Sequence, residues 1–159
     1  MTFKDFDRQF KEQSFKASIN QKIMLAIAVS KKLFTDYKEF SIDNNFGNSD
    51  LLIDAINLAE NYKQADSQVS KNILPLIEAQ CPHSDDFGSA SYAINASGSI
   101  YETLEFLIDN DSTHIYNIGT YLINTIDSKI QDFEDLTEEE IDNHPLMIEV
   151  RTYLLDSTK

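Results

Sequence analysis

The chain has 159 residues, a formal net charge of -14 and a hydrophobic content of 42%. A chain of this length fits one domain with one hydrophobic core, and this apolar content argues against a wholly disordered protein. The excess of carboxylates repels phosphate backbones and anionic lipid, so we expect neither nucleic-acid nor membrane binding, whereas a basic protein would be attracted.

Glycine and proline are rare, with four and three residues respectively, so the chain lacks the turns that a protein of many short strands needs. This predicts an all-α fold, a compact bundle of seven or eight helices in a single layer around one core. We expect one domain over residues 1–159, with an N-terminal helix over residues 1–17 and a core over residues 18–155.

The location of the protein is predicted from its N-terminus and its cysteine content. The first ten residues are charged from the fourth onward, which excludes the apolar core of a signal peptide, and no apolar run is long enough to span a bilayer. Cys81 is the only cysteine, which agrees with a reducing compartment. We therefore expect a cytoplasmic protein.

The predicted elements begin with a short amphipathic helix. Phe3, Phe6 and Phe10 recur at steps of three and four, so they form one stripe by which this helix would dock. Ser18 followed by Gln21 predicts a capping box that opens a second helix, which we expect to be the central one. The expected buried stripe of this second helix comprises Ile19, Ile23, Ala26, Ile27, Ser30 and Phe34, and Met24, Leu25, Ala28 and Val29 widen it.

The third and fourth helices follow a polar break over residues 44–48. Ser49 is expected to cap the third helix. Its expected inward residues are Leu52, Ala55, Ile56, Ala59 and Tyr62. The fourth helix is predicted over residues 67–80. Pro75 lies inside it and removes one backbone hydrogen bond, so we expect a kink or a restart there.

The fifth helix follows a loop at residues 81–88 and continues to Asp109. Its first turns are rich in serine, alanine and glycine, which favours close helix packing over a ligand site. Asp111 or Ser112 would cap a sixth helix.

Two signals predict the last helices. Thr137 with Glu140 forms a capping box for a short helix over residues 138–142. Pro145 can occupy the first turn of a final helix, in which Met147, Val150 and Leu154 would be buried.

One loop concentrates four potential metal ligands: Cys81, His83, Asp85 and Asp86. The paired spacing of a zinc site is absent, so the favoured interpretation is that Asp85 or Asp86 caps the following helix.

A second polar group lies on the fifth helix, where Glu102, Glu105 and Asp109 share one face. Paired carboxylates can perform acid and base catalysis, but this stripe is expected to face water. The sequence contains no glycine-rich phosphate-binding motif and no nucleophile motif. It therefore predicts no catalytic residue, no cofactor and no metal site.

The remaining feature is the acidic stretch from Asp127 to Glu149, which contains one base, Lys129. Its candidate protein-binding residues are Glu134, Asp135, Glu138, Glu139, Glu140 and Asp142. The stretch could dock a basic protein, whose approach the charge would accelerate. Two alternatives are a merely solvated face and an intramolecular contact with the basic first two helices.

Several short motifs resemble one known family, the bacterial YjaG-like proteins, a domain of unknown function. They are Phe40 to Asn48, Ile56-x-Leu58-x-Glu60, Leu76 to Pro82, Asp85-Asp86-Phe87, Tyr92-Ala93-Ile94-x-Ala96 and Asn143 to Leu146. The resemblance covers residues 18–155, and departures from it include Pro75 and a shorter C-terminal end. It implies a compact all-helical fold and brings no established activity.

Together these observations favour a non-enzymatic acidic domain that binds a basic protein, most concretely an immunity or inhibitor protein that neutralises a toxin. The first alternative is a metal- or small-molecule-dependent enzyme built around Asp85, Asp86 and the small-residue start of the fifth helix. The second is a scaffold that self-associates into a homo-oligomer through the serine- and alanine-rich face of that helix.

Overall fold

In a computed structural model of the protein, residues 1–63 and 66–159 are described. These residues form eight α-helices and no strand, which confirms the all-α prediction. The helices are α1 (Phe3–Lys16), α2 (Ile19–Asn44), α3 (Ser49–Glu60), α4 (Ser67–Glu78), α5 (Ser91–Asp109), α6 (Ser112–Gln131), α7 (Glu138–Asp142) and α8 (Pro145–Asp156). Over the described ranges, no helix is both long and apolar enough to cross a membrane.

Helix boundaries follow the predicted caps at several places. The Ser18 hydroxyl accepts a hydrogen bond from the backbone N–H of Gln21, whose side chain in turn accepts from the Ser18 N–H. The same reciprocal pair forms between Thr137 and Glu140 at α7. Asp111 caps α6 by accepting from a backbone N–H of its first turn. These side chains satisfy N–H groups that have no partner inside their helix.

Two predicted caps are wrong. Asn48, and not Ser49, caps α3, because its side-chain oxygen accepts from the backbone N–H groups two and three residues later while Ser49 is already helical. Neither Asp85 nor Asp86 caps α5. That helix begins after Ala90 without a side-chain cap, four residues beyond the second aspartate.

Helix α5, and not α2, is central, because it packs against α2, α3, α4 and α6. Its small-residue start is buried, including Ala93, Ala96 and Ser99. A Cβ atom at Gly98 would lie 2.7 Å from Cζ of Tyr121 on α6, so the glycine lets α6 approach closely. This confirms the packing interpretation, because neighbouring helices pack on these small residues.

The buried stripe of α2 differs from the predicted one. The buried residues of α2 are Lys22, Leu25, Ala26, Val29, Ser30, Leu33, Tyr37 and Phe40. The predicted residues that are buried are Leu25, Ala26, Val29 and Ser30, whereas Ile19 is 57% exposed and Met24 is 71% exposed. Helix α2 has apolar residues on more than one side, so the contact with α5 decides which side faces the core.

Three hydroxyl groups pair inside the α2–α5 contact. The Ser30 Oγ lies 3.1 Å from Ser99 Oγ and 2.9 Å from Thr103 Oγ1. Thr103 also donates to the Ser99 carbonyl at 2.8 Å. All three residues are buried, so their polar atoms satisfy each other without solvent.

Helix α4 runs through Pro75, and the predicted restart is not observed. Leu74 and Ile77 on either side of the proline are buried in the core. Their packing offsets the lost backbone hydrogen bond, since tertiary burial outweighs local propensity.

Helix α1 docks against α6 and α8. Phe6 and Phe10 are buried as predicted, whereas Phe3 is 48% exposed at the start of the helix. The two buried rings are stacked with their centroids 5.6 Å apart. This docking brings the N-terminal end of the chain beside α7 and α8, next to the acidic residues singled out above.

Candidate functional site

The predicted binding residues lie together in what we call the acidic segment, residues 132–142. Glu134 and Asp135 belong to the connection between α6 and α7, and both are exposed. Glu138 and Glu139 are exposed in the first turn of α7. These four predicted side chains therefore present their charge to solvent.

The other two predicted residues have structural partners. Glu140 Oε2 accepts from the Thr137 N–H at 2.9 Å and from its hydroxyl at 2.8 Å, and these hydrogen bonds lower the pKa of Glu140. Asp142 is half-buried and accepts from Arg151 Nη2 at 2.6 Å and from the Phe3 N–H at 3.2 Å. Among the described residues, Glu134, Asp135, Glu138 and Glu139 form no ion pair.

One aromatic side chain of the acidic segment is not among the residues predicted from the sequence. Phe133 is 87% exposed, more than any other large hydrophobic residue in the described part of the chain. Its neighbour Asp132 accepts a hydrogen bond from Tyr92 on α5, and burial together with this bond raises the pKa of Tyr92 to about 12. The backbone is thus fixed to α5 immediately before Phe133. In the sequence, a single phenylalanine between carboxylates is the pattern that could have indicated this exposed residue.

A cavity of about 360 Å³ lies beside the acidic segment, between α1, α6, α7 and α8. Its polar lining residues are Asn124, Asp127, Gln131, Glu138, Asp142 and Arg151. Arg151 is only 5% exposed and is neutralised by Asp142. The remaining carboxylates, Asp127 and Glu138, give the cavity a net negative lining, and its volume suits one long side chain or a small ligand.

The start of α1 lies against the acidic stretch, since the Phe3 N–H donates to Asp142, but the basic side chains of the first two helices do not make this contact. Within residues 1–63 and 66–159, no lysine or arginine of α1 or α2 forms an ion pair with a carboxylate of residues 127–149. The ion pair between the two regions has the reverse charges, because the base belongs to the stretch and the acid belongs to α2. Lys129 Nζ lies 2.7 Å from Asp36 Oδ1.

A second polar group lies where α5 meets α6, and we call it the carboxylate–histidine cluster: Glu102, Glu105, Asp109 and His114. Asn110 ends α5 in a left-handed conformation with φ of 60°, and Asp111 caps α6 directly after it. This tight hairpin places the first turn of α6 beside the last turns of α5. The carboxylate stripe of α5 therefore meets His114.

Both ring nitrogens of His114 face carboxylates. Nδ1 is hydrogen bonded to Glu102 Oε2, while Nε2 lies 3.0 Å from Asp109 Oδ2 and 3.7 Å from Glu105 Oε2. The other oxygen of Glu102 accepts from Asn117 Nδ2 at 3.2 Å. The side chains of His114 and Glu102 are only 14% and 16% exposed, so the expectation that the stripe faces water is wrong for Glu102.

The protonation of His114 reflects these contacts. Burial alone would lower the pKa of His114, but the hydrogen bonds to Glu102 and Asp109 outweigh it and raise the pKa above its ordinary value. The sequence showed the carboxylate stripe but not its histidine, because the contact depends on how α5 and α6 are joined.

The loop with Cys81, His83, Asp85 and Asp86 does not form a comparable group. Among the described residues, the one set of three potential metal ligands whose ligand atoms lie within 4.8 Å of one another is Glu105, Asp109 and His114. The four loop residues therefore do not bring three ligand atoms together in this way.

Comparison with known proteins places this fold in a family. The crystal structure of a DUF416 family protein from Shewanella baltica OS155, at 1.91 Å resolution, is similar to it with a TM-score of 0.77 and 23% sequence identity, over 92% of this chain and 82% of that chain. At this identity the likeness shows the fold alone. No curated protein matches the chain. Residues 9–156 match the family described as "Protein of unknown function (DUF416)". The chain therefore belongs to the DUF416 family of proteins of unknown function.

Proposed function

We propose that this chain is a single, non-enzymatic domain that binds a basic protein through the acidic segment. The observation that supports this most is Phe133, which is 87% exposed and is followed directly by Glu134 and Asp135. Protein interfaces combine a few aromatic anchors with a polar rim, and the anchors supply most of the binding energy. Phe133 is the anchor and the unpaired carboxylates are the rim.

The charges around the anchor favour a cationic partner. Glu134, Asp135, Glu138 and Glu139 are exposed and make no ion pair within the described ranges, so they remain free to attract one. Complementary charge raises the rate of association and disfavours acidic competitors. The adjoining cavity, with Asp127 and Glu138 in its wall, would accept one lysine or arginine side chain of the partner.

The most concrete version of this function is an immunity or inhibitor protein that neutralises a basic toxin in the cytoplasm. A small acidic protein suits the blocking of a cationic cleft, because the contact itself covers the catalytic groups of the toxin. We also propose that the chain groups with the bacterial YjaG-like members of its family, as the motifs from Phe40 to Leu146 indicate.

Affinity capture at low salt, followed by mass spectrometry, tests this function. The wild-type chain is compared with a variant that carries Phe133→Ala, Glu134→Lys and Asp135→Lys. These positions lie outside the helices in an exposed connection, so the substitutions should leave the fold intact. The matched control carries Glu39→Lys and Asp43→Lys, which reverse two exposed charges on α2.

We expect one basic protein to be retained by the wild type and the control, released by salt, and lost by the acidic-segment variant. The purified pair should then bind in calorimetry, and the chain should inhibit the activity of its partner at a stoichiometric ratio. Equal retention by all three chains, or retention of no protein at all, would contradict the proposed surface. Binding without inhibition would reject the immunity version alone.

A further inference from the structure

We propose that the carboxylate–histidine cluster binds one divalent transition-metal ion, such as Zn²⁺, through His114 Nε2, Asp109 Oδ2 and Glu105 Oε2. This site is independent of the acidic segment, since it is formed by the α5–α6 hairpin. It contains one imidazole and two carboxylates, a ligand set that zinc accepts and that leaves a fourth position for water.

The spacing of the three ligand atoms fits a metal. Zinc binds nitrogen and carboxylate oxygen at about 2.0–2.2 Å, so two ligands in a tetrahedral arrangement lie about 3.4 Å from each other. His114 Nε2 lies 3.0 Å from the Asp109 oxygen and 3.7 Å from the Glu105 oxygen, and all three atoms fall within 4.8 Å of one another. The three ligand atoms therefore already converge on one point between the two helices.

Independent support comes from the opposite side of the imidazole. A metal-binding histidine generally donates its other ring N–H to a carboxylate, which fixes the orientation of the ring and increases its basicity. Glu102 supplies this contact at Nδ1, and Asn117 holds the second oxygen of Glu102 at 3.2 Å. Glu102 is a positioning residue, because it makes the imidazole present Nε2 to Asp109 and Glu105.

Charge balance also favours a dication. Three carboxylates surround one imidazole, and no lysine or arginine forms an ion pair with them in the described part of the chain. Even a protonated His114 leaves the cluster negative. A metal ion replaces the proton on Nε2, so that one proton leaves for each ion bound when His114 is initially protonated.

A hydrogen bond within the hairpin also fixes the orientation of Asp109. Its Oδ1 accepts from the Asp111 N–H at 2.8 Å in the tight connection between the helices. Its Oδ2 therefore remains directed at His114 Nε2. One carboxylate oxygen holds the hairpin while the other is available to a metal.

Titration calorimetry with Zn²⁺ alone tests the site in the full-length chain. Buffers of different ionisation enthalpy report the proton released, and ¹⁵N spectra of the histidine rings report which nitrogen is affected. The variants are His114→Gln, Glu102→Gln and Asp109→Asn. The last preserves an oxygen that can accept from Asp111 and changes an exposed side chain, so it tests the site even if His114→Gln unfolds. His83→Gln in the exposed loop is the control.

We expect one Zn²⁺ per wild-type chain, with a change at Nε2 of His114 and a protonated Nδ1. Binding should vanish in His114→Gln, weaken about 10- to 100-fold in Glu102→Gln and at least about 10-fold in Asp109→Asn. The control should bind as the wild type does. No binding by the wild type, wild-type affinity in a folded Asp109→Asn variant, or loss of binding in His83→Gln would each overturn the proposal.

Discussion

Arg151 is held by four groups that lie far from it in the sequence. Its side chain donates to Asp142 at 2.6 Å and to the Met1 carbonyl at 3.0 Å. Its guanidinium lies 5.8 Å and 5.6 Å from the ring centroids of Phe3 and Phe6. One buried cation therefore joins α8 to α7 and to the start of α1.

We expect Arg151→Ala to lower the free energy of unfolding by about 2–3 kcal/mol, because it leaves a half-buried carboxylate without its charged partner. Arg8→Ala is the control. Arg8 pairs with Asp5 but its side chain is 72% exposed, so its loss should change stability by no more than about 0.5 kcal/mol. Urea denaturation measures both. Similar values for the two variants would show that Arg151 is not a structural link.

His114 should make the stability of the metal-free protein depend on pH. Its pKa is raised above the ordinary 6.5, so the folded state binds this proton more tightly than the unfolded state. The stabilisation is complete below 6.5 and is lost as the pH rises through the folded-state pKa. The charged groups facing it are Glu102, Glu105, Asp109 and Asp111.

Urea midpoints measured across this pH range test the dependence. His114→Gln should flatten the curve between 6.5 and the folded-state pKa, whereas His83→Gln in the exposed loop should preserve it. A wild-type curve that rises with pH over this range, or an unchanged curve in His114→Gln, would contradict the assignment.

The docking of α1 on α6 depends on a glycine. A Cβ atom at Gly119 would collide with the ring of Phe10. Alanine ordinarily favours a helix over glycine by about 1 kcal/mol, but here the overlap costs about 1–3 kcal/mol. We expect Gly119→Ala to lower the melting temperature and Phe10→Leu to compensate part of the loss in the double variant.

Gly88 provides the comparison for this prediction. A Cβ atom there meets nothing within 4 Å, so Gly88→Ala should be neutral or slightly stabilising. Thermal unfolding of the three single variants and the double variant measures the coupling. Additive effects of Gly119→Ala and Phe10→Leu would mean that the two residues do not constrain each other.

The helices could largely be predicted from the sequence because their signals are local. Apolar periodicity located them, and the Ser18–Gln21 and Thr137–Glu140 boxes fixed two of their starts. The buried face of α2 could not be predicted in the same way. Its apolar residues cover more than one side, and the choice depends on α5, some seventy residues later.

The same difference between local signals and contacts of distant residues applies to the candidate sites. The acidic residues and the Thr137–Glu140 capping box are visible in the sequence, yet only the structure shows that Asp142 is paired with Arg151. The meeting of His114 with Glu102 requires the left-handed turn at Asn110, which no periodic pattern specifies.

The net charge of -14 acts on the molecule as a whole. Unpaired carboxylates repel one another across the surface, and this repulsion opposes the compact state. Added salt screens it, since the Debye length falls from about 30 Å at 0.01 M to about 10 Å at 0.1 M. We expect the melting temperature to rise over this interval, while binding to a basic partner weakens.

Thermal unfolding in sodium chloride measures the first effect and calorimetry with the captured partner measures the second. Sodium sulfate at matched ionic strength is the control, because screening depends on ionic strength whereas preferential exclusion depends on the anion. A melting temperature that falls with chloride would show that attractive ion pairs outweigh the repulsion. An affinity for the partner that is independent of salt would show that charge does not contribute to binding.

The hydroxyl triad of Ser30, Ser99 and Thr103 constrains how this sequence can diverge. Replacing Ser30 by an apolar residue leaves the buried Ser99 hydroxyl without its partner, at a cost of about 1–3 kcal/mol, whereas Thr103 keeps its hydrogen bond to the Ser99 carbonyl. Replacing all three by apolar residues of fitting volume removes that penalty. Among relatives that retain the α2–α5 contact, an apolar residue at position 30 should therefore coincide with an apolar residue at position 99.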